Sequence, residues 1–401
     1  MTPQALSDRL HANSPKRILA LDGGGIRGAI TLGYLERMER LLRDRYQRPG
    51  LVLADYFDLI GGTSTGAVIA AALAIGMDAA AVKRLYLDLG ERIFKPVAPR
   101  WVPGPLKRLA VLAPNLSLKG SGFGLDLTRR WFSTFDPGPL EAQLKETLGD
   151  RTMSDPDIRC GLCVVTKRAD TGSLWPIHNN PRGIYFERNG GLLLRDVVRA
   201  STAAPIYFPP STLNIGGDRT GAFVDGGVSL ANNPALTLFL LVTINGYRFN
   251  WPVGEDKLLL VSVGTGTWSR QEEGEEVLGY GAWNWAAEVP AMFMSDATWH
   301  VQLMLQAMSN TPTRVRINRE IGDLGDSLLT GEPLLSYIRY NVDLDETTLN
   351  ALGFPELAAQ AKGLREMSAA ENRHHLARIG AAAAGRDVAP AHFPPAFDLA
   401  S

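Results

Sequence analysis

A serine flanked by glycines, Gly62-Thr63-Ser64-Thr65-Gly66, constrains this chain more than any other feature. Tyr56 to Ile60, just before it, has the short, mostly apolar character of a strand. Ala67 to Ile75, just after it, has that of a buried helix rich in small residues. A strand that becomes a helix over so few residues turns sharply, and side chains flanking the serine would collide with neighbouring backbone. The helix that follows directs its first N–H groups and its positive dipole end toward the serine, which favours negative charge nearby. Taken alone, the stretch fits a nucleophile elbow, a plain glycine-rich turn or a phosphate loop. Its partners decide between them.

The first partner lies upstream. Arg17 to Leu21 reads as a strand and runs straight into Asp22-Gly23-Gly24-Gly25-Ile26-Arg27-Gly28. A helix is expected from there to about Arg45, with Ile30, Tyr34, Leu35, Met38, Leu41 and Leu42 on one face. Glycines at a helix start leave backbone N–H groups bare, and such a loop cradles an anionic group. The spacing is not G-x-G-x-x-G, and the lysine of a Walker loop is missing. An oxyanion cradle serving Ser64 therefore fits better than a nucleotide site.

The second partner is Asp225, in Ala222-Phe-Val-Asp225-Gly226-Gly227, which reads as a strand end and tight turn. With it the chain holds, in order, a glycine-rich loop, G-x-S-x-G and Asp-Gly-Gly. Together with Arg199-Ala-Ser-Thr-Ala-Ala-Pro205, these motifs resemble the patatin-like phospholipases over roughly residues 15 to 270. The resemblance implies a three-layer α/β/α fold around a mainly parallel sheet. Alternation of strand-like and helix-like stretches points independently to a parallel sheet covered on both sides. It also implies a Ser–Asp dyad, with Ser64 as nucleophile and Asp225 as base, and backbone N–H groups of Gly23, Gly24 and Gly25 as the oxyanion hole. Arg27 and Thr65 are further candidates for contact with substrate; in the family pattern the position of Arg27 is basic and either meets an anionic group or holds the loop. The implied reaction is hydrolysis of a phospholipid or other acyl-ester lipid through an acyl-serine, with no cofactor and no metal. Some bacterial relatives of this type are activated by a cyclic nucleotide, which the residues here neither require nor exclude.

A rival is a Ser-Asp-His hydrolase, for which His300 and His178 are the candidate histidines. Both sit in patterns that read as packed structure. A phosphate-binding switch built on the Asp22 to Gly28 loop would leave Ser64 and Asp225 without a role.

Hydrophobic residues make up 45% of the chain and charged residues 21%, as in ordinary globular proteins. A net charge of -1 gives no global pull toward a nucleic acid polymer. The two cysteines, Cys160 and Cys163, lie within a strand-like run, so they read as structural and their small number suits a reducing, cytoplasmic compartment. The N-terminus lacks a signal-peptide core, and the apolar runs Ala67 to Met77 and Ala235 to Ile244 are too short to span a bilayer. Contact with membrane is therefore expected to be peripheral.

The expected organisation is a polar arm over residues 1–16, a catalytic domain over 17–320, a helical extension over 321–380 and a disordered tail over 381–401. A Pro-, Gly- and Lys/Arg-rich insertion over 95–150 reads as a lid-like region, and its Trp101 and Arg100 suit a headgroup layer. Gly281 to Met308 is expected to be helical with a break at Pro290. Its Trp283, Trp285, Met292, Phe293, Met294 and Trp299 fit either the core or the wall of an acyl-chain groove.

Overall fold

The computed structural model describes residues 1–93, 135–269 and 274–399. The insertion around Arg100 and Trp101 lies outside these residues. Among them, nine strands form one sheet in the order β5-β6-β3-β2-β1-β7-β9-β8, with β4 also paired to β3. Its centre is parallel: β1 (Lys16–Leu21) lies between β2 (Leu59–Thr63) and β7 (Leu258–Val263), β2 pairs with β3 (Gly161–Arg168), and β7 with β9 (Leu335–Tyr340). β4 (Ser173–His178) and β6 (Arg219–Asp225) run antiparallel to β3, β5 (Ser211–Gly216) runs antiparallel to β6, and β8 (Ser309–Asn310) is short.

Every residue of β1, β2 and β7 is buried, because helices cover both faces. Side chains alternate between two cores, as the period of a strand requires. Leu19, Leu21, Val261 and Val263 join the larger core, whereas Ile18, Ala20, Leu258 and Leu260 join the smaller. Helices α2 (Gly28–Tyr46), α4 (Thr65–Ala74) and α5 (Ala79–Ile93) contribute to the first. Helix α1 (Pro3–His11), helix Ala235–Thr243 and the C-terminal half of helix Ala282–Ala307 contribute to the second. This is the three-layer α/β/α arrangement with a mainly parallel centre.

Several expectations change. Residues 1–16 are not a loose arm: α1 buries Leu6 and Leu10, and its Arg9 reaches Asp58 and the carbonyls of Ala54 and Phe57. The stretch before Ser64 begins as a short helix, α3 (Leu53–Tyr56), so the strand starts at Leu59. The region beyond residue 320 contributes β9, which pairs between β7 and the edge strand β8, as well as helices. Helix Ala282–Ala307 continues through Pro290 without a break.

The C-terminal tail is ordered through residue 399. Helix Arg373–Asp387 crosses α2 closely enough that a Cβ on Gly380 would strike the backbone of Ile30. Beyond it, Phe393 and Phe397 are buried against the same core, Arg17 donates to the Phe397 carbonyl at 3.4 Å, and Arg45 pairs with Asp398 at 2.7 Å. An alanine- and proline-rich composition misled here because two phenylalanines anchor the segment. Phe397→Ala should therefore cost about 3–5 kcal/mol, the usual range for emptying a buried phenylalanine site. Denaturant unfolding reads this directly, and an unchanged midpoint would mean that the tail is not docked.

Candidate active site

The elbow is built as its glycines require. Gly62, near the end of β2, lies against the backbone of Gly66 and Ala67, and Gly66 lies against the carbonyls of Leu21 and Asp22, so a Cβ on either would meet backbone. Ser64 between them adopts φ 55° and ψ -124°, a conformation a non-glycine residue holds only under constraint. Its N–H donates at 2.8 Å to the hydroxyl of Ser201, which in turn donates at 2.7 Å to the Val165 carbonyl on β3. Ser64 is half-buried and caps α4, so its side chain stands at the positive end of that helix.

Asp225 closes the site from two strands over, across β3. It ends β6, pairs in register with Thr166 of β3, and its N–H donates to Ala203 at 3.0 Å. Its carboxylate accepts the Gly227 N–H at 2.7 Å and interacts with the Ser64 side chain. No cation is among the groups that set its ionisation. Burial therefore dominates and pushes its pKa up to about 6, with the Ser64 and Gly227 hydrogen bonds opposing the rise.

The two candidate histidines are elsewhere. His178 is buried at the end of β4, packs on Phe249 with ring centroids 5.3 Å apart, and accepts the Asn180 N–H at 3.3 Å. Burial lowers its pKa to about 4, so it is a neutral structural ring. His300 is exposed on helix Ala282–Ala307. Neither acts on the Asp225 carboxylate.

The glycine loop is held from several sides. Gly23 donates its N–H to the Asn232 carbonyl at 3.0 Å, and Ile26 donates to Met367 at 2.8 Å. Among the described residues, Gly24 and Gly25 are thus the loop glycines whose N–H groups have no protein acceptor. A Cβ added at Gly23 would stand 3.2 Å from the Ser64 Cβ, so the loop and the serine are in contact. A Cβ on Gly24 would strike the Thr265 side chain rather than occupy open space beside Ser64.

Arg27 and Thr65 spend their side chains on this loop. Thr65 donates at 3.1 Å to the Gly25 carbonyl, which also accepts from the Tyr86 hydroxyl. Arg27 is buried, donates at 3.4 Å to Gly24 and at 3.5 Å to Gly266, and lies 5.0 Å from the Trp268 ring centroid. Burial lowers its pKa to about 10, far enough above neutrality to keep it charged. Asp22, at the loop's entrance, forms a buried bidentate pair with Arg339 at 2.9 and 2.6 Å, and Arg339 also donates to Ser262 at 2.7 Å.

Ser201, Asn232, Thr265, Met367 and Arg339 were not among the residues singled out from the sequence. Ser201 alone carried a signal, since it lies within Arg199 to Pro205. The others act through one carbonyl or one packed side chain, which leaves no spacing to read. Cys160 and Cys163 are buried free thiols, and burial pushes the Cys160 pKa up to about 12. Among the described residues, no three His, Cys, Asp or Glu side chains are grouped to hold a metal ion.

Removing the Ser201 hydroxyl leaves the Ser64 N–H without its acceptor at a strained position. Ser201→Ala should lower kcat about tenfold, the equivalent of 1.4 kcal/mol and within the cost of one orphaned buried donor. KM for a short soluble ester should change little. Steady-state kinetics checks this, and an unchanged kcat would remove Ser201 from the support of the elbow.

The family model Patatin-like phospholipase matches residues 19–239, more than half of the chain. A cGAMP-activated phospholipase of Vibrio cholerae is 30% identical over 226 residues, covering 56% of this chain and 57% of that one. Another, from Escherichia coli strain TW11681, is 29% identical and covers 65% of each. Patatin-like protein 1 of Oryza sativa subsp. indica is 32% identical, covering 63% of this chain and 59% of its own. The chain thus spans between about half and two thirds of these relatives. On the family match, which contains both Ser64 and Asp225, the chain belongs to the patatin-like phospholipase family.

Proposed function

We propose that this protein hydrolyses the carboxylic esters of membrane glycerolipids, a phospholipase A type of activity, through an acyl-Ser64 intermediate with Asp225 as base. The observation that carries the reading is the strained Ser64 elbow beside a buried Asp225 whose carboxylate has no cation to neutralise it. The Ser64 oxygen attacks the ester carbonyl while its proton passes to Asp225. The N–H groups of Gly24 and Gly25, with the start of α4, receive the oxyanion. Collapse breaks the ester C–O bond and the proton returns from Asp225 to the leaving alcohol; water then attacks the acyl-serine with Asp225 again as base, the acyl–Ser64 bond breaks to release the fatty acid, and the proton returns to the Ser64 oxygen. An aspartate at its ordinary pKa is a weak base, and burial raises it toward the range useful near neutrality.

Access to lipid is proposed through helix Ala282–Ala307. Its C-terminal half buries Ala297, Val301 and Leu305, whereas Trp285, Val289, Met292, Phe293 and Trp299 are exposed. Met294 is half-buried, and the Trp283 side chain lies outside the described residues. Of the two readings their spacing allowed, core or the wall of a groove, the exposed residues do not follow the first. An apolar helical face with aromatic residues suits the headgroup–acyl boundary. Among the described residues no helix is long and apolar enough to cross a membrane, so the contact proposed is peripheral. A second reading, activation of the same chemistry by cGAMP, rests on the names of two relatives, and vesicle hydrolysis with and without added cGAMP tests it.

Mass spectrometry of products from mixed phospholipid vesicles tests the main reading. Wild type should release fatty acid and lysolipid, and Ser64→Ala neither; equal release by both would refute it. In the same assay Met292→Ser with Phe293→Ser should reduce vesicle hydrolysis at least severalfold while sparing a short soluble ester. Equal loss on both substrates, or loss on neither, would contradict membrane docking by this face.

The raised Asp225 pKa fixes two pH dependences. As a base it must be ionised, so kcat/KM should rise with pH through about 6. Its folded pKa lies above the unfolded value, so the contribution to stability is complete below about pH 4 and is lost as pH rises through about 6. Asp225→Asn should therefore be inactive yet about 2–3 kcal/mol more stable than wild type at pH 8, with the gain vanishing near pH 4. Denaturant titrations at both pH values check this, and a variant less stable at pH 8 would contradict it.

A further inference from the structure

Polar side chains around the dyad are largely committed to the fold. The Thr63 hydroxyl donates to the Ala231 carbonyl at 2.6 Å, the Thr265 hydroxyl to Gly23 at 2.9 Å, and those of Ser201 and Thr65 to Val165 and Gly25. Asn233, just before helix Ala235–Thr243, accepts the Ala235 N–H at 3.0 Å and the Ser262 hydroxyl at 3.3 Å. Asn232 differs. Its backbone carbonyl holds the Gly23 N–H, yet among the described residues its half-buried carboxamide has no hydrogen-bond partner.

Two glycines locate that carboxamide. A Cβ added at Gly23 would stand 2.6 Å from Asn232 Oδ1 and 3.2 Å from the Ser64 Cβ. A Cβ added at Gly227 would stand 2.9 Å from the same oxygen and 3.1 Å from Asp225 Oδ1. Asn232 Oδ1 therefore borders the space shared by the nucleophile and its base, and a side chain on either glycine would displace it. The carboxamide does not act on Asp225 itself, whose opposing hydrogen bonds come from Ser64 and Gly227. Its acceptor oxygen is thus available to a third group beside the dyad.

Deacylation brings such a group. Water that attacks acyl-Ser64 gives one proton to Asp225 and keeps the other, and the kept O–H needs an acceptor while the oxygen faces the acyl carbon. A carboxamide oxygen supplies one without adding a second negative charge beside Asp225. An oxyanion needs a donor, which Oδ1 is not, so the atom beside the dyad suits water rather than the oxyanion. Acylation makes no use of it. The leaving alcohol carries a single O–H, supplied by Asp225, and offers Asn232 nothing to accept.

We propose, on the acyl-Ser64 reading, that Asn232 Oδ1 holds the water that discharges the enzyme. The water oxygen bonds to the acyl carbon as one of its protons passes to Asp225, and Asn232 accepts the other O–H. The acyl–Ser64 bond then breaks, the proton on Asp225 returns to the Ser64 oxygen, and the fatty acid leaves with the O–H that Asn232 held. Asn232 thereby serves the second half of the reaction and not the first.

Rapid-quench mass spectrometry of the intact protein with p-nitrophenyl butyrate measures formation and breakdown of butyryl-Ser64 separately. Asn232→Ala should form the adduct at the wild-type rate and break it down about tenfold more slowly, the scale of one hydrogen bond to a reacting group. Butyryl-Ser64 should accumulate, so that kcat and KM fall together and kcat/KM is unchanged. Asn232→Leu, of similar shape but without an acceptor, serves should the alanine variant not fold. Equal slowing of formation and breakdown would assign Asn232 to the oxyanion or to the fold and overturn the proposal, as would breakdown at the wild-type rate. If neither wild type nor variant forms an adduct on Ser64, the acyl-serine reading fails and the water assignment falls with it.

Discussion

The structure depends on the close approach of β2 to α4 across Ser64. Gly62 and Gly66 touch through their backbones, and the serine between them has no relaxed conformation available. The strain is held by neighbours on both sides: β1 packs its carbonyls on Gly66, and β3 anchors Ser201, which accepts from the Ser64 N–H. Because these strands are parallel and adjacent, their C-terminal ends deliver the glycine loop and the serine to one edge of the sheet. β6, antiparallel to β3, delivers Asp225 to the same edge.

Two aspartates at this edge show how environment divides a residue type into different roles. Asp22 is buried but met by a bidentate arginine, an arrangement in which losing one partner strands the other charge at a cost of about 3–5 kcal/mol. It ties β1 to β9 and fixes where the glycine loop begins. Asp225 is equally buried and receives only a backbone N–H and the serine. Burial raises the pKa of both carboxylates; for the first the Arg339 cation opposes the rise, whereas for the second no cation does. Arg27, buried on loop carbonyls and against Trp268, extends the same logic by holding the loop through its donors rather than through an ion pair.

Much of this was legible in the sequence because short-range rules govern it. The central strands announce themselves as apolar runs, and the three motifs come in an order that few folds share. Their side chains meet because strands place them at one edge, although the dyad's chemistry is still a proposal. What escaped notice acts at long range. Phe393 and Phe397 order a tail whose local composition suggests disorder, and Arg9 ties down a polar helix by reaching carbonyls some fifty residues away in sequence. β9 was overlooked because Leu335 to Tyr340 carries polar and aromatic residues, including the Arg339 that serves Asp22. Pro290 does not break its helix, and the apolar face there turns outward rather than into the core.

The central claim is that Ser64 is the nucleophile and that Asp225, without a histidine, activates it. A fluorophosphonate probe followed by peptide mass mapping tests both halves in one measurement. The account predicts a single adduct on Ser64 in wild type and in His178→Ala and His300→Ala, with labelling lost in Asp225→Asn. Modification of another serine, or labelling that survives Asp225→Asn but disappears in either histidine variant, would contradict it.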